Sequence, residues 1–195
     1  MSKKIIIKVL KVARSELNIN LMNDEISTLF TEEKIKSKIK ELALKIRNDY
    51  QAKNNVVFIS ILKGSFMFFA DIIREIGLNV AIDFLQASSY GSGAYSSLKV
   101  SIKKDIDINI ENSYVIIFDD IIDTGLTYKK IIKHLKTKNP REIKTCALFN
   151  KPSKRLTELK VDYVGFDIDD HFVVGYGIDF NENHRTLKDV AKINK

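Results

Sequence analysis

Three carboxylates and two hydroxyls lie close together in the middle of the chain. Asp119 and Asp120 follow the apolar run at 115–118, and Asp123 opens the sequence Asp-Thr-Gly-Leu-Thr at 123–127. The β-branched apolar run is typical of a buried strand, and the sequence after it is typical of the start of a helix. Free backbone N–H groups at a helix N-terminus, together with hydroxyls, can bind a phosphate. We therefore predict a phosphate site formed by Asp123, Thr124, Gly125, Leu126 and Thr127.

The carboxylates beside this phosphate site need a different partner, because two negative groups repel each other. Vicinal sugar hydroxyls, or a divalent cation with its water shell, are the natural partners of Asp119 and Asp120. Gly125 allows the backbone to approach the phosphate closely. The motif therefore predicts a site for a sugar phosphate that also carries a second, cation-bound anion.

The elements that must position this motif alternate between strand and helix patterns. Thr31 is a candidate N-cap for a helix that reaches Lys53, while the first ~30 residues are predicted to be irregular, with short helical or strand pieces. We predict strands over residues 56–62, 80–87, 114–118, 142–149 and 161–168, and further helices over residues 66–76 and 127–138. This alternation predicts an α/β domain with a central, mostly parallel sheet flanked by helices.

Ligands of such sheets bind beyond the carboxyl ends of the strands. Four predicted strand ends carry polar groups: Lys63-Gly64, the central motif, Lys151-Pro152 and Asp169-Asp170. We expect these four segments to converge on one site.

The composition is that of a globular domain, with 195 residues, 45% hydrophobic and 29% charged. No apolar run approaches the roughly 20 residues that span a bilayer, and no secretory signal is expected. The single cysteine, Cys146, excludes an internal disulfide and a multi-cysteine zinc site, and is expected to be a buried packing residue. We expect one domain over residues 1–195, no membrane association and a cytoplasmic location.

The net charge of +7 is unevenly distributed along the sequence. Residues 129–160 contain eleven basic and two acidic side chains, whereas residues 161–180 contain five aspartates and no base. Such alternation suits a polyanionic small molecule bound with a cation at least as well as nucleic acid. A solvated, lysine-rich surface accounts for most of the excess, so no nucleic-acid partner is expected.

The central stretch closely resembles the phosphoribosyl pyrophosphate (PRPP) binding motif of the type I phosphoribosyltransferases. Leu62-Lys63-Gly64 resembles the pyrophosphate loop of that family, and Ser88-Ser89-Tyr90-Gly91 resembles the start of its mobile flap. Lys151-Pro152 and the stretch at 164–179 resemble its 6-oxopurine branch, the hypoxanthine-guanine phosphoribosyltransferases. The resemblance runs from about residue 56 to residue 187.

The resemblance implies a role for each matched residue. PRPP would be bound by Asp119, Asp120 and the phosphate site at 123–127, with Asp123 as general acid/base. The other implied groups are pyrophosphate-binding Lys63, Gly64 and Arg185; flap residues Ser89 and Tyr90; purine-binding Lys151, Phe172, Val173 and Asp179; and metal-binding Asp179, Asp119 and Asp120. The resemblance also implies a cis Leu62–Lys63 peptide.

The implied reaction is transfer of the 5-phosphoribosyl group from PRPP to hypoxanthine or guanine, with Mg²⁺ as cofactor. The resemblance further implies a core at about 32–165, and a hood lobe formed by the N-terminal segment and about 166–195. A homodimer or homotetramer is expected, and the choice between them, the preferred base and the use of xanthine are left open.

Two residues depart from the family pattern. Asp119 replaces the usual glutamate and is one methylene shorter, so its contact to sugar or metal-bound water is expected to be longer. Leu98 stands where many relatives carry glycine, which bears on the mobility of the flap.

Two other functions stay open on the sequence alone. A phosphoribosyltransferase-fold regulator that binds nucleic acid with little catalysis would explain the basic segment at 129–160. A metal-dependent phosphotransfer protein of the receiver or dehalogenase type would explain the acidic pair, or the sequence Asp167-Ile168-Asp169. The first conflicts with the presence of Lys151 and Asp123, and the second with the Thr-Gly-Leu-Thr sequence after the acidic pair.

Overall fold

The computed structural model describes residues 25–90 and 99–194. In chain order, the strands and helices are β1 (Glu25–Phe30), α1 (Glu32–Tyr50), β2 (Val56–Leu62), α2 (Phe66–Ile76), β3 (Ala81–Tyr90), β4 (Lys99–Lys104), β5 (Tyr114–Ile122), α3 (Leu126–Lys136), β6 (Glu142–Asn150), β7 (Tyr163–Asp167), β8 (Val173–Val174) and β9 (Val190–Asn194). A short 3₁₀ turn, Pro152–Lys154, follows β6.

Six of these strands form one twisted sheet in the order β4-β3-β2-β5-β6-β7. The pairs β2·β3, β2·β5, β5·β6 and β6·β7 are parallel, and only the edge pair β3·β4 is antiparallel among the described strands of this sheet. The predicted α/β class with a mostly parallel sheet is therefore confirmed.

The helices cover both faces of the sheet, as the continuous apolar strands require. Phe58 and Phe118 face α1 and α2, and the Phe118 ring lies 5.3 Å from that of Phe69. The alternate residues of the same strands, such as Ile117, face α3 on the other side, where Ile131 is fully buried. Cys146 is buried, as expected.

Helix boundaries follow local sequence signals closely. The Thr31 hydroxyl accepts a hydrogen bond from the Lys34 N–H at the start of α1. Gly77, with φ of 63°, ends α2 in the left-handed conformation that glycine adopts at low cost. Among the described residues no helix is long and apolar enough to span a membrane.

Two strand predictions were too short, and one strand of this sheet was missed. β5 continues to Ile122, so that Asp119 and Asp120 lie within the strand rather than after it, because β6 extends alongside as far as Asn150. β3 continues through the polar residues to Tyr90, where antiparallel pairing with β4 supplies its hydrogen bonds. The lysine-rich strand β4 was not predicted.

A second sheet has three strands in the order β1-β9-β8, all antiparallel. β1 is one of the short strand pieces that were allowed for in the N-terminal segment, and it pairs with β9 from the opposite end of the chain. Only long-range pairing reveals this strand. The predicted division into core and hood stays a prediction.

Candidate active site

The turn between β2 and α2 supplies one wall of the site. The Leu62–Lys63 peptide is cis, as the family resemblance implied. A side chain at Gly64 would overlap the Asp120 carboxylate, and one at Gly177 would overlap the Gly64 carbonyl. The absence of both side chains therefore allows this turn to lie directly against β5 and against the segment that carries Asp179.

The acidic pair lies at the centre of the carboxyl edge of the sheet. The Asp119 carboxylate accepts a hydrogen bond of 3.1 Å from the Asp120 N–H, and Asp120 is 8% exposed. Burial, and then the proximity of Asp120, raises the pKa of Asp119 well above its ordinary value. Burial also raises the pKa of Asp120. A cation or a set of hydroxyl donors would stabilise the charged pair.

The predicted phosphate site forms the turn into α3. Gly125 is buried, with φ of 79°, and is the N-cap of this 11-residue helix. Asp123 is exposed beside it, while Thr124, Leu126 and Thr127 are half-buried. The turn therefore combines the N–H groups of a helix N-terminus and two hydroxyls with an accessible carboxylate, and the Leu126 N–H donates to the Thr124 hydroxyl over 3.4 Å.

Lys151 lies directly beside this turn. Its backbone N–H donates to the Ile122 carbonyl over 2.9 Å, one residue before Asp123. Its side chain is 7% exposed, and the ammonium donates to the His171 carbonyl over 2.6 Å. The structure thus brings a buried cation to the carboxyl end of β6, next to the predicted phosphate site.

An aromatic ring and a short strand follow this cation. Phe172 is 47% exposed, with its ring 5.3 Å from that of Phe180 in an edge-to-face contact. Val173 is buried in β8, and the Phe172 carbonyl accepts a hydrogen bond from the Ile193 N–H. An aromatic ring with this exposure is of the kind on which a planar base stacks.

Arg185 is held by the segment that carries Asp179. Its guanidinium donates to the Gly177 carbonyl over 2.8 Å and lies 2.8 Å from the Asp179 carboxylate. The same guanidinium lies 3.0 Å from Glu182, which also contacts the Lys63 ammonium at 2.8 Å. The two cations predicted to bind pyrophosphate are therefore joined through one carboxylate.

Sequence reasoning missed Glu182 and Arg155. Glu182 carried no recognisable signal, because its partner Lys63 is 119 positions away. A side chain at Gly125 would lie 3.0 Å from Arg155 Nη1, and this nitrogen is buried without a hydrogen-bond partner among the described residues. The other terminal nitrogen of Arg155 donates to Asn150. Arg155 therefore packs closely against Gly125 of the predicted phosphate site.

Ser89 and Tyr90 end β3 and pair with Val100 and Lys99 of β4. The remainder of the predicted flap, residues 91–98 including Leu98, lies outside the described residues. The flap itself stays a prediction.

The predicted metal ligands, Asp179, Asp119 and Asp120, are all carboxylates. Within residues 25–90 and 99–194 there is no cluster of three or more metal-ligating side chains. Mg²⁺ does not need one, because it keeps several waters and binds through one or two carboxylates together with substrate phosphates. Asp179, Asp119 and Asp120 fit a cation of this kind.

The phosphoribosyl transferase domain profile matches residues 25–181. The chain belongs to the phosphoribosyltransferase family. It is 44% identical over 170 residues to the hypoxanthine phosphoribosyltransferase of Haemophilus influenzae, covering 86% of this chain and 95% of that one. It is 42% identical to the hypoxanthine-guanine phosphoribosyltransferase of Aquifex aeolicus, covering 87% and 95% of the two chains.

Solved structures of the family agree with the fold. A hypoxanthine-guanine phosphoribosyltransferase from Bacillus anthracis superimposes with a TM-score of 0.82 at 46% identity, covering 86% of this chain and 98% of that one. A hypoxanthine phosphoribosyltransferase from Staphylococcus aureus superimposes with a TM-score of 0.84 at 40% identity, covering 91% and 96% of the two chains. The chain therefore has the type I phosphoribosyltransferase fold of the 6-oxopurine branch.

Proposed function

We propose that this protein transfers the 5-phosphoribosyl group of PRPP to hypoxanthine or guanine, forming IMP or GMP and releasing pyrophosphate. This is a purine salvage reaction. The observation that carries the proposal is the position of the buried Lys151 ammonium, on a residue whose backbone is hydrogen-bonded one residue before Asp123. The residue that recognises the base, Lys151, is thus hydrogen-bonded to the segment that binds the sugar phosphate.

Lys151 selects the base through the chemistry of its 6-position. An ammonium is a donor only, so it pairs with the 6-oxo group of hypoxanthine or guanine. Adenine presents an amino group there, which would leave two donors facing each other without an acceptor. Phe172 stacks on the base, and the backbones of Val173 and Asp179 read its opposite edge.

Different residues bind different parts of PRPP. The turn at 123–127 holds the 5-phosphate, while Asp119 and Asp120 hold the ribose hydroxyls or metal-bound water. The bond from the ribose carbon to pyrophosphate breaks, and a bond from that carbon to an imidazole nitrogen of the purine forms. Asp123 acts as general acid/base for the purine proton. Lys63, Arg185 and the backbone at Gly64 hold the departing pyrophosphate.

Enzymes of this family use a divalent metal, and we propose Mg²⁺ for this chain. Asp179 would bind the ion directly, and Asp119 and Asp120 would bind it through its waters. Magnesium, when bound, neutralises the charge that develops on pyrophosphate. The oxygen-only donor set supports this choice over softer metals.

Two further properties, the assembly and the location, are part of the proposal. We expect a homodimer or homotetramer. A Trypanosoma cruzi hypoxanthine phosphoribosyl transferase that superimposes with a TM-score of 0.81 has an oligomeric state in which its C-terminal region plays a role. A cytoplasmic location agrees with a substrate that is a phosphorylated metabolite. Gel filtration with light scattering would measure the assembly directly.

A spectrophotometric assay with PRPP, Mg²⁺ and each of hypoxanthine, guanine, xanthine and adenine tests the function. We expect turnover of hypoxanthine, guanine or both, no turnover of adenine, and loss of activity with a chelator that added Mg²⁺ restores. Salt-dependent nucleic-acid binding without purine turnover would favour the regulator instead, although the relatives give it no support. A stable aspartyl phosphate would favour a receiver or dehalogenase type of protein.

A further inference from the structure

Glu182 joins the two cations that line the pyrophosphate end of the site. One of its carboxylate oxygens lies 2.8 Å from the Lys63 ammonium, and the other lies 3.0 Å from the Arg185 guanidinium. Lys63 comes from the turn after β2, whereas Glu182 and Arg185 come from the segment between β8 and β9. The contact between Lys63 and Glu182 therefore joins two segments that are far apart in the chain.

A carboxylate and a phosphate are interchangeable acceptors for lysine and arginine. Each presents paired anionic oxygens, and each forms charge-assisted hydrogen bonds with these donors. In this structure both oxygens of Glu182 are used in this way. A diphosphate that binds Lys63 and Arg185 through the same donor atoms must displace the Glu182 carboxylate.

We propose that Glu182 is an affinity-determining residue that competes internally with the pyrophosphate group. This inference rests on the proposed function, because Lys63 and Arg185 are assigned to pyrophosphate there. Glu182 forms ion pairs with Lys63 and Arg185 before substrate binds, and forms them again after pyrophosphate leaves. It lowers the affinity of the site for PRPP and for pyrophosphate, and so favours release of the product.

Competition outweighs any ordering effect of Glu182 on the two cations. Without Glu182, Arg185 keeps its hydrogen bond to the Gly177 carbonyl and its contact with Asp179. The Glu182 side chain is 65% exposed, so it can move into solvent with little loss of packing. Exposed ion pairs are weak, which makes this carboxylate displaceable by a ligand with more negative charge.

The local charge acts in the same direction. Asp179 lies 2.8 Å from the Arg185 guanidinium, and Asp120 is close enough to Arg185 for their charges to interact. Glu182 adds a third carboxylate at the position where a polyanion must bind. Its removal therefore strengthens attraction to pyrophosphate both by freeing the donors and by lowering repulsion.

The test is calorimetric titration of pyrophosphate, with Mg²⁺ present, into the full-length wild-type protein and Glu182→Gln. Glutamine keeps the size of the side chain and removes its charge. We expect the dissociation constant for pyrophosphate to fall about 3- to 10-fold, and the gain to shrink at high salt. Glu182→Asp keeps the charge but is one methylene too short to bridge both cations, and we expect a smaller gain. Thermal melting checks that both variants are folded.

Glu111→Gln is the matched control, because Glu111 is an exposed glutamate before β5, at the opposite edge of the sheet. We expect less than about a twofold change there. Unchanged or weaker pyrophosphate binding by Glu182→Gln, or an equal gain in the control, would overturn the inference. If the wild-type protein binds pyrophosphate and turns over purines while the variants match it, only this inference fails. If it does neither, the proposed function fails as well.

Discussion

The buried ammonium of Lys151 donates a hydrogen bond of 2.6 Å to the backbone carbonyl of His171. The carboxylate of the exposed Asp170 lies no closer to this ammonium than 4.0 Å. A buried cation with this little compensation is expensive to keep, unless a ligand supplies a further acceptor. The purine 6-oxo group is that acceptor in the proposed function.

Lys151→Ala should therefore lower turnover of hypoxanthine and guanine with little effect on PRPP affinity. Loss of one buried charge-assisted hydrogen bond corresponds to about 1.5–3 kcal/mol, or roughly 10- to 150-fold in kcat/KM. Lys154→Ala is the control, because Lys154 is a neighbouring lysine that forms an exposed pair with Asp170. An equal loss of PRPP binding, or unaltered discrimination against adenine, would contradict the role of Lys151.

Asp123→Asn should lower turnover by about 10²–10⁴-fold, the usual contribution of a general acid or base. Because the proton moves as the glycosidic bond forms, PRPP affinity should change little. Steady-state kinetics, together with calorimetric PRPP titration, separates the two effects. Near-normal turnover would assign the proton transfer to another group, such as water, and leave Asp123 as part of the phosphate turn.

Asp120→Asn should act on binding instead, since its contacts form before the reaction begins. We expect weaker PRPP–magnesium binding and a higher KM for PRPP. The same calorimetric titration measures it. A variant that loses only turnover, with PRPP binding intact, would show that Asp120 acts in the transition state.

Gly64→Ala should abolish PRPP binding, because the added methyl group would overlap the Asp120 carboxylate. Gly77→Ala is the control for the loss of a glycine. Gly77 caps α2 in the left-handed conformation, with φ of 63°, and does not contact the acidic pair. The control should lose about 1 kcal/mol of stability and keep PRPP affinity. Calorimetry and urea unfolding measure the two properties. Normal PRPP affinity in Gly64→Ala would mean that the turn can move away from Asp120.

Asp105 gives a test of stability against pH. Burial raises its pKa, but hydrogen bonds from Lys138, His134 and the Ile106 N–H outweigh burial and lower the pKa to about 2. The folded pKa thus lies below the ordinary 3.8, so the stabilisation is present above about pH 4 and is lost as the pH falls toward 2.

Asp105→Asn should lower the free energy of unfolding by about 1 kcal/mol at pH 7, after discounting for the 38% exposure of the side chain. The difference from wild type should shrink below about pH 4. Urea unfolding across this pH range measures it, with Asp107→Asn, at an 86% exposed side chain, as the control. A difference that persists unchanged at low pH would point to packing rather than charge.

Much of the fold was predictable because its signals are local. The Thr31 cap, the apolar runs of β2 and β5, and the Gly77 stop each depend on a few adjacent residues. By contrast, β4 is a short, lysine-rich edge strand, of the kind that carries charge instead of an apolar pattern. Its place in the sheet depends on pairing with β3.

The sequence by itself determined the turn from Asp123 to Thr127 at the start of α3, because these residues are contiguous and the signals for a helix N-terminus are local. It also determined the family, through the order and types of the matched residues. Only the tertiary structure decided that Glu182 bridges Lys63 and Arg185, and that Gly64 lies against Asp120. These contacts join segments that are far apart in the chain, and their geometry follows from the packing of the sheet and not from local preference.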